Sequence, residues 1–132
     1  MNDITNWYAN LKKPSWAPAE SVFGQVWSVL YIIIIAVNIY VVYLLLNNKV
    51  SWYIALPFWI NLFFNLLFTP IQFGLRSNAL ACIDIFIVLF TIIWAMIVIW
   101  QYAPFATLLF IPYLVWVCIA TVLQVSITYL NR

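Results

Sequence analysis

Residues 7–31 read WYANLKKPSWAPAESVFGQVWSVLY, a lead-in rich in Trp and Lys-Pro that passes without a linker into a long apolar helix. The apolar run continues from Val22 to Leu46, and three more follow at Trp52 to Phe73, Ala79 to Tyr102 and Phe105 to Leu130. Each reaches the ~20 residues a helix needs to cross the hydrocarbon core. The chain is 68% hydrophobic and 6% charged, with a mean hydropathy of +1.09, whereas soluble domains are about half apolar. The expectation is an all-α integral membrane protein: a single domain over 1–132 with four transmembrane helices at about 22–46, 52–73, 79–102 and 105–130. Val22 to Leu46 is too long and too late for a cleaved signal peptide.

Helices are expected rather than barrel strands, because the runs are continuously apolar instead of alternating and far exceed the ~10 residues of a barrel strand. The connections Asn47 to Ser51, Gly74 to Asn78 and Gln101 to Pro104 are short enough to join only adjacent, antiparallel helices. Pro57, Pro70, Pro104 and Pro112 fall near helix ends, where a missing N–H is tolerated or a kink can be packed.

The few cations orient the bundle. Lys12, Lys13, Arg76 and Arg132 fall on one face and Lys49 on the other, so both termini are expected in the cytoplasm. The net charge of +2 carries this bias and no clustered basic patch, so a nucleic-acid partner is not expected. Cys82 and Cys118 lie inside apolar helices and are expected as small buried residues rather than a redox pair. The chain has no histidine, no CxxC and no carboxylate cluster, so neither a metal site nor an ordinary catalytic constellation is expected.

Helical periodicity groups the remaining polar and aromatic residues. Phe23, Trp27 and Tyr31 recur every four residues and Asn38 follows seven later; Asn61, Asn65 and Phe68 form a stripe on the second helix; Pro112, Trp116, Ile119, Ala120 and Leu123 do so on the last. Such faces suit a flat, mostly apolar molecule, because aromatic rings stack on a conjugated face while one or two amides orient it. They also suit packing within a bundle, and Asn61 and Asn65 fit interhelical hydrogen bonds as well as ligand contact. Asp84, early in the third helix, is expected to pair with Arg76 or to cap neighbouring backbone. Leu123, Tyr129 and Arg132 fit the loose sterol-contact pattern of membrane helices.

The spacings WYxxLxKPxWxP and VFGxVWxxLY within residues 7–31 resemble the loop and following helix of the TspO/MBR family, the translocator proteins or tryptophan-rich sensory proteins. Asn65, Phe73, Gly74, Arg76 and Asp84 extend the likeness, as do Pro112, Tyr113, Trp116, Ala120, Thr121, Leu123 and Asn131 in the final LLFIPYLVWVCIATVLQVSITYLN. Phe68, Ile119, Gln124 and Gln72 depart from it. Family members have five membrane helices, so the resemblance implies a bundle like helices two to five, with the first lacking and one wall of the pocket open. It also implies a lid over residues 1–21 that includes Trp7, Lys12, Lys13, Pro14 and Trp16.

The resemblance further implies a site for a porphyrin-like or sterol-like molecule, built from Phe23, Trp27, Tyr31, Asn38, Asn61, Asn65, Phe68, Trp116, Ile119, Ala120 and Leu123. Protoporphyrin IX is the expected ligand and no cofactor is required; without histidine, a metal-free porphyrin fits better than haem. Sensing, sequestration or transport is the expected role. The alternatives are light-dependent porphyrin breakdown involving Trp27 and Trp116, and a structural subunit that no longer binds ligand. The bilayer, a homodimer and a prokaryotic plasma membrane complete the expectations.

Overall fold

The computed structural model describes residues 14–16, 20–71, 75 and 77–131; for Glu20, Ser21, Phe23 and Thr69 it describes the backbone alone. The elements are α1 (Glu20–Leu46), α2 (Trp52–Thr69), α3 (Asn78–Trp100), α4 (Pro104–Leu109) and α5 (Ile111–Leu130), with no strand among the described residues. Among the described residues, three spans are long and apolar enough to cross a membrane: Gly24–Leu46, Asn78–Trp100 and Pro104–Leu130. The apolar Trp52–Phe68 is shorter. The architecture is a helical membrane bundle.

Local chemistry sets the helix ends. α1 closes on Asn48, whose φ of 59° lies in the left-handed region that asparagine tolerates better than most residues. Lys49 N–H then reaches Leu44 C=O at 2.8 Å and Asn48 N–H reaches Leu45 C=O at 3.1 Å, which satisfies carbonyls the helix end would leave bare. At α3 the Ser77 side chain accepts from Leu80 N–H at 3.2 Å and caps the first turn.

Prolines shape two helix ends. The α-helical part of the second helix ends at Thr69, because Pro70 cannot donate to Leu66 C=O, although Pro70 and Ile71 keep a helical backbone; the expected end near residue 73 lies outside the described residues. A wider turn follows, in which Leu75 N–H reaches Pro70 C=O at 2.9 Å. The last helix is interrupted at Phe110 instead of running unbroken over 105–130. Pro112 causes this: it cannot donate to Leu108 C=O, and its ring crowds that carbonyl. Phe110 N–H instead closes α4 onto Ala106 and Thr107, and Leu114 N–H begins α5 on Phe110 C=O.

α3 is the centre of the bundle and packs most extensively against α2 and α5, while α1 lies more lightly against α2 and α4. Ala55, Ala81, Ala95 and Ala106 are almost wholly buried, and their small side chains let backbones approach. Ile34, Val37, Val41, Phe58, Ile85, Val88, Ile92, Ile99, Phe110, Tyr113 and Val117 fill the interior. Large apolar side chains cover the outside, among them Ile32, Ile39, Phe63, Ile83, Phe90, Ile97 and Val122. Such a continuous apolar exterior is stable in lipid and not in water. Tyr43, Trp52, Tyr53, Trp100 and Tyr102 are exposed at the end where α1 turns into α2 and α3 into α4, as an interfacial aromatic belt requires.

The cysteines do not match the buried placement inferred from sequence. Cys118 is exposed on the outer face of α5, Cys82 is half-buried on α3, and both are free thiols. The apolar exterior accommodates a thiol as readily as the core does, so an apolar surrounding in sequence did not distinguish inside from outside.

Candidate functional site

A chain of side-chain hydrogen bonds runs through the bundle interior. Tyr31 hydroxyl in α1 donates to Asn65 Oδ1 in α2 at 3.0 Å, and Asn65 Nδ2 donates to Tyr113 hydroxyl in α5. Tyr113 hydroxyl in turn donates to Asn61 Oδ1 at 3.0 Å. Asn61 Nδ2 then reaches α3, at Val88 C=O (3.0 Å) and Thr91 Oγ1 (3.1 Å). Thr91 hydroxyl ends the chain on its own helix, at Ile87 C=O. Four helices are joined by groups that would otherwise be stranded in hydrocarbon, where an unpaired amide or hydroxyl is costly.

Aromatic rings lie over one end of this chain. Trp27 stands 5.6 Å from Tyr31 and 6.5 Å from Tyr113, the latter edge-on, so its ring bridges α1 and α5. Phe110 meets Tyr113 edge-on at 5.2 Å and Phe58 at 5.6 Å. Beside Trp27, α1 and α5 diverge around a groove of about 540 Å³ lined by Gln25, Val26, Val29, Leu30, Pro112, Val115 and Trp116. Its walls are almost wholly apolar, and its volume falls within the ~300–1,000 Å³ of small-molecule sites.

The sequence-predicted residues separate into three groups. Trp116 lines the α1–α5 groove, Trp27 and Tyr31 pack inward against Tyr113 and Asn65, and Ala120 is half-buried one turn beyond Trp116. Asn61 and Asn65 are buried and committed to interhelical hydrogen bonds. Asn38 is buried on α1, where its Nδ2 donates to Ile34 C=O at 2.8 Å while its Oδ1 has no partner. Leu123 is buried, Phe68 half-buried, and Ile119 is 39% exposed.

The inner face of α5 carries Tyr113, Val117, Thr121, Leu123, Gln124 and Ile127; of the predicted stripe Pro112, Trp116, Ile119, Ala120 and Leu123, Leu123 lies on it, Trp116 and Ala120 are half-buried at its edge, and Pro112 and Ile119 are exposed. Of the predicted lid, Pro14 is half-buried and Trp16 is 50% exposed, both in a short turned segment. Trp7, Lys12, Lys13 and the side chain of Phe23 lie outside the described residues.

Sequence reasoning missed Tyr113 and Thr91 as members of the polar network. Tyr113 stands one residue beyond Pro112, and its four-residue spacing to Val117 and Thr121 was the signal for an inner face. Among the described residues Asp84 neither caps backbone nor accepts a hydrogen bond, although it is only 2% exposed. Arg76, its suggested partner, is outside the described residues.

A sequence model of the TspO/MBR family matches residues 1–130. The chain belongs to the TspO/MBR family. It is 33% identical over 126 residues to protein CrtK of Rhodobacter capsulatus, covering 95% of this chain and 78% of that protein. The tryptophan-rich protein TspO of Bacillus cereus is 32% identical over 130 residues, 95% of this chain and 80% of its own length. The human translocator protein is 32% identical over 121 residues, 89% of this chain and 70% of its own. With its apolar bundle, this TspO/MBR member is an integral membrane protein with bacterial relatives.

Proposed function

We propose that this TspO/MBR protein binds a flat, largely apolar conjugated molecule, with a tetrapyrrole such as protoporphyrin IX as the first candidate, in order to sense, sequester or move it. The groove between α1 and α5 is the supporting observation: an apolar slot of about 540 Å³ with Trp116 in its wall and Trp27 bridging the same two helices. A conjugated macrocycle gains from both stacking and loss of water or lipid contact in such a slot. The relatives' names, tryptophan-rich sensory protein and translocator protein, favour sensing and movement over metabolism. The distribution of Lys12, Lys13, Arg76 and Arg132 against Lys49 supports cytoplasmic termini in a prokaryotic plasma membrane.

The test is a titration of purified protein with protoporphyrin IX in darkness, read by quenching of tryptophan fluorescence and by porphyrin absorbance. Saturable binding that weakens in Trp116→Phe and Trp27→Phe is expected. Non-saturable quenching alone would overturn the reading. Repeating the titration under illumination separates binding from breakdown, since only an enzyme bleaches the porphyrin in a Trp27- and Trp116-dependent way.

A further inference from the structure

Asp84 is the one acidic residue inside a membrane span. The chain has three side-chain carboxyls in all, Asp3, Glu20 and Asp84, and the first two stand at or before the start of α1. Asp84 is the seventh residue of α3, about 9 Å along the helix at ~1.5 Å per residue, and it points inward with Ala81, Ile85 and Val88. Both of its oxygens are buried and neither accepts a hydrogen bond from the described residues.

Its surroundings offer no compensating charge among the described residues. α2 and α4 carry no charged residue, and on α5 the inward titratable group is Tyr113, while Cys118 and Tyr129 are exposed. Among the described residues the one cation is Lys49, in the turn after α1 at the opposite end of the bundle from the start of α3. An ionised carboxylate buried without a partner is among the most expensive groups a membrane interior can hold.

Polar groups meet at the start of α3, the end of the bundle nearer Asp84. Gln124, buried on the inner face of α5, donates from Nε2 to Asn78 C=O at 3.3 Å and to Thr128 Oγ1 at 3.2 Å. Thr128 hydroxyl donates to the same Asn78 C=O at 3.1 Å. This seam fastens the start of α3, six residues before Asp84, to the last turns of α5.

We propose that Asp84 is an exchangeable proton-binding site inside the bundle. One of its oxygens forms an O–H bond with a proton taken from water at the Asn78–Thr128 end, and the same bond breaks when the proton returns there. A proton needs no cavity, which suits a closely packed position, and its arrival or departure changes the charge of the bundle interior by one unit without moving a helix. That provides a means for pH to act on whatever the bundle holds. The proposal does not rest on the tetrapyrrole reading, and failure of the porphyrin titration would leave it untouched.

Infrared spectroscopy of the protein in lipid bilayers tests it directly, since so few carboxyls compete. In an Asp3→Asn background labelled with carboxyl-13C aspartate, Asp84 is the sole labelled carboxyl side chain. The expected result at neutral pH is a neutral-acid C=O band that carries the isotope shift, moves again in D2O, and is lost in Asp84→Asn. Labelled aspartate that shows only carboxylate stretches would overturn the proposal, as would a neutral band that stays fixed in D2O. The label reads Asp84 in a chain that retains it, so the outcome does not depend on whether Asp84→Asn folds.

Discussion

Tyr113 hydroxyl in α5 donates to Asn61 Oδ1 in α2 at 3.0 Å while accepting from Asn65 one turn away on the same helix. One hydroxyl thus ties together two asparagines whose remaining bonds run to Val88 and Thr91 in α3 and to Tyr31 in α1. Tyr113→Phe keeps the ring packing against Phe110 and removes both bonds. We expect a loss of about 1–2 kcal/mol, because two buried amide groups lose a partner and interhelical hydrogen bonds in membranes are individually modest. Thermal unfolding in detergent checks this. Asn65→Leu should likewise lower stability more than ligand affinity.

Val115 lies in the wall of the α1–α5 groove and is 54% exposed, so it can be enlarged without disturbing the core. Val115→Trp should fill part of the slot and weaken protoporphyrin IX binding by about tenfold or more, equivalent to about 1.4 kcal/mol. The melting temperature should stay close to wild type. Unchanged affinity would move the ligand site away from this groove.

Pro112 interrupts the last span at Phe110. Pro112→Ala restores a donor opposite Leu108 C=O and should let α4 and α5 fuse. Slower amide hydrogen exchange across residues 110–114 is the expected sign. Fusion would also rotate Tyr113 relative to Asn61, so any gain in helix stability should be offset by a weakened polar network.

Asn48 holds a positive φ of 59° at the end of α1. Asn48→Gly should be neutral or slightly stabilising, whereas Asn48→Val should destabilise by about 1–2 kcal/mol, because a β-branched side chain clashes in the left-handed region. Circular dichroism melts of the pair report the difference.

Hydropathy placed the spans because crossing hydrocarbon demands long apolar helices whatever their partners, and residues 7–31 carried the family because their aromatic and proline spacings are visible in one dimension. Helix ends were less legible. Pro70 and Pro112 were seen as breaks near ends, yet only the backbone shows that one stops α2 at Thr69 and the other splits the last span at Phe110.

Facing was least legible, since an exterior in lipid is as apolar as the core, and periodicity alone cannot distinguish Cys118 outside from Val117 inside. The sequence by itself determined a membrane-embedded helical chain of the TspO/MBR type, through composition and local motif. The tertiary structure decided which polar groups meet. Tyr31, Asn65, Tyr113, Asn61 and Thr91 come from four helices, and among the described residues Asp84 has no hydrogen-bond partner, because the helices packed against α3 bring no donor or cation to it.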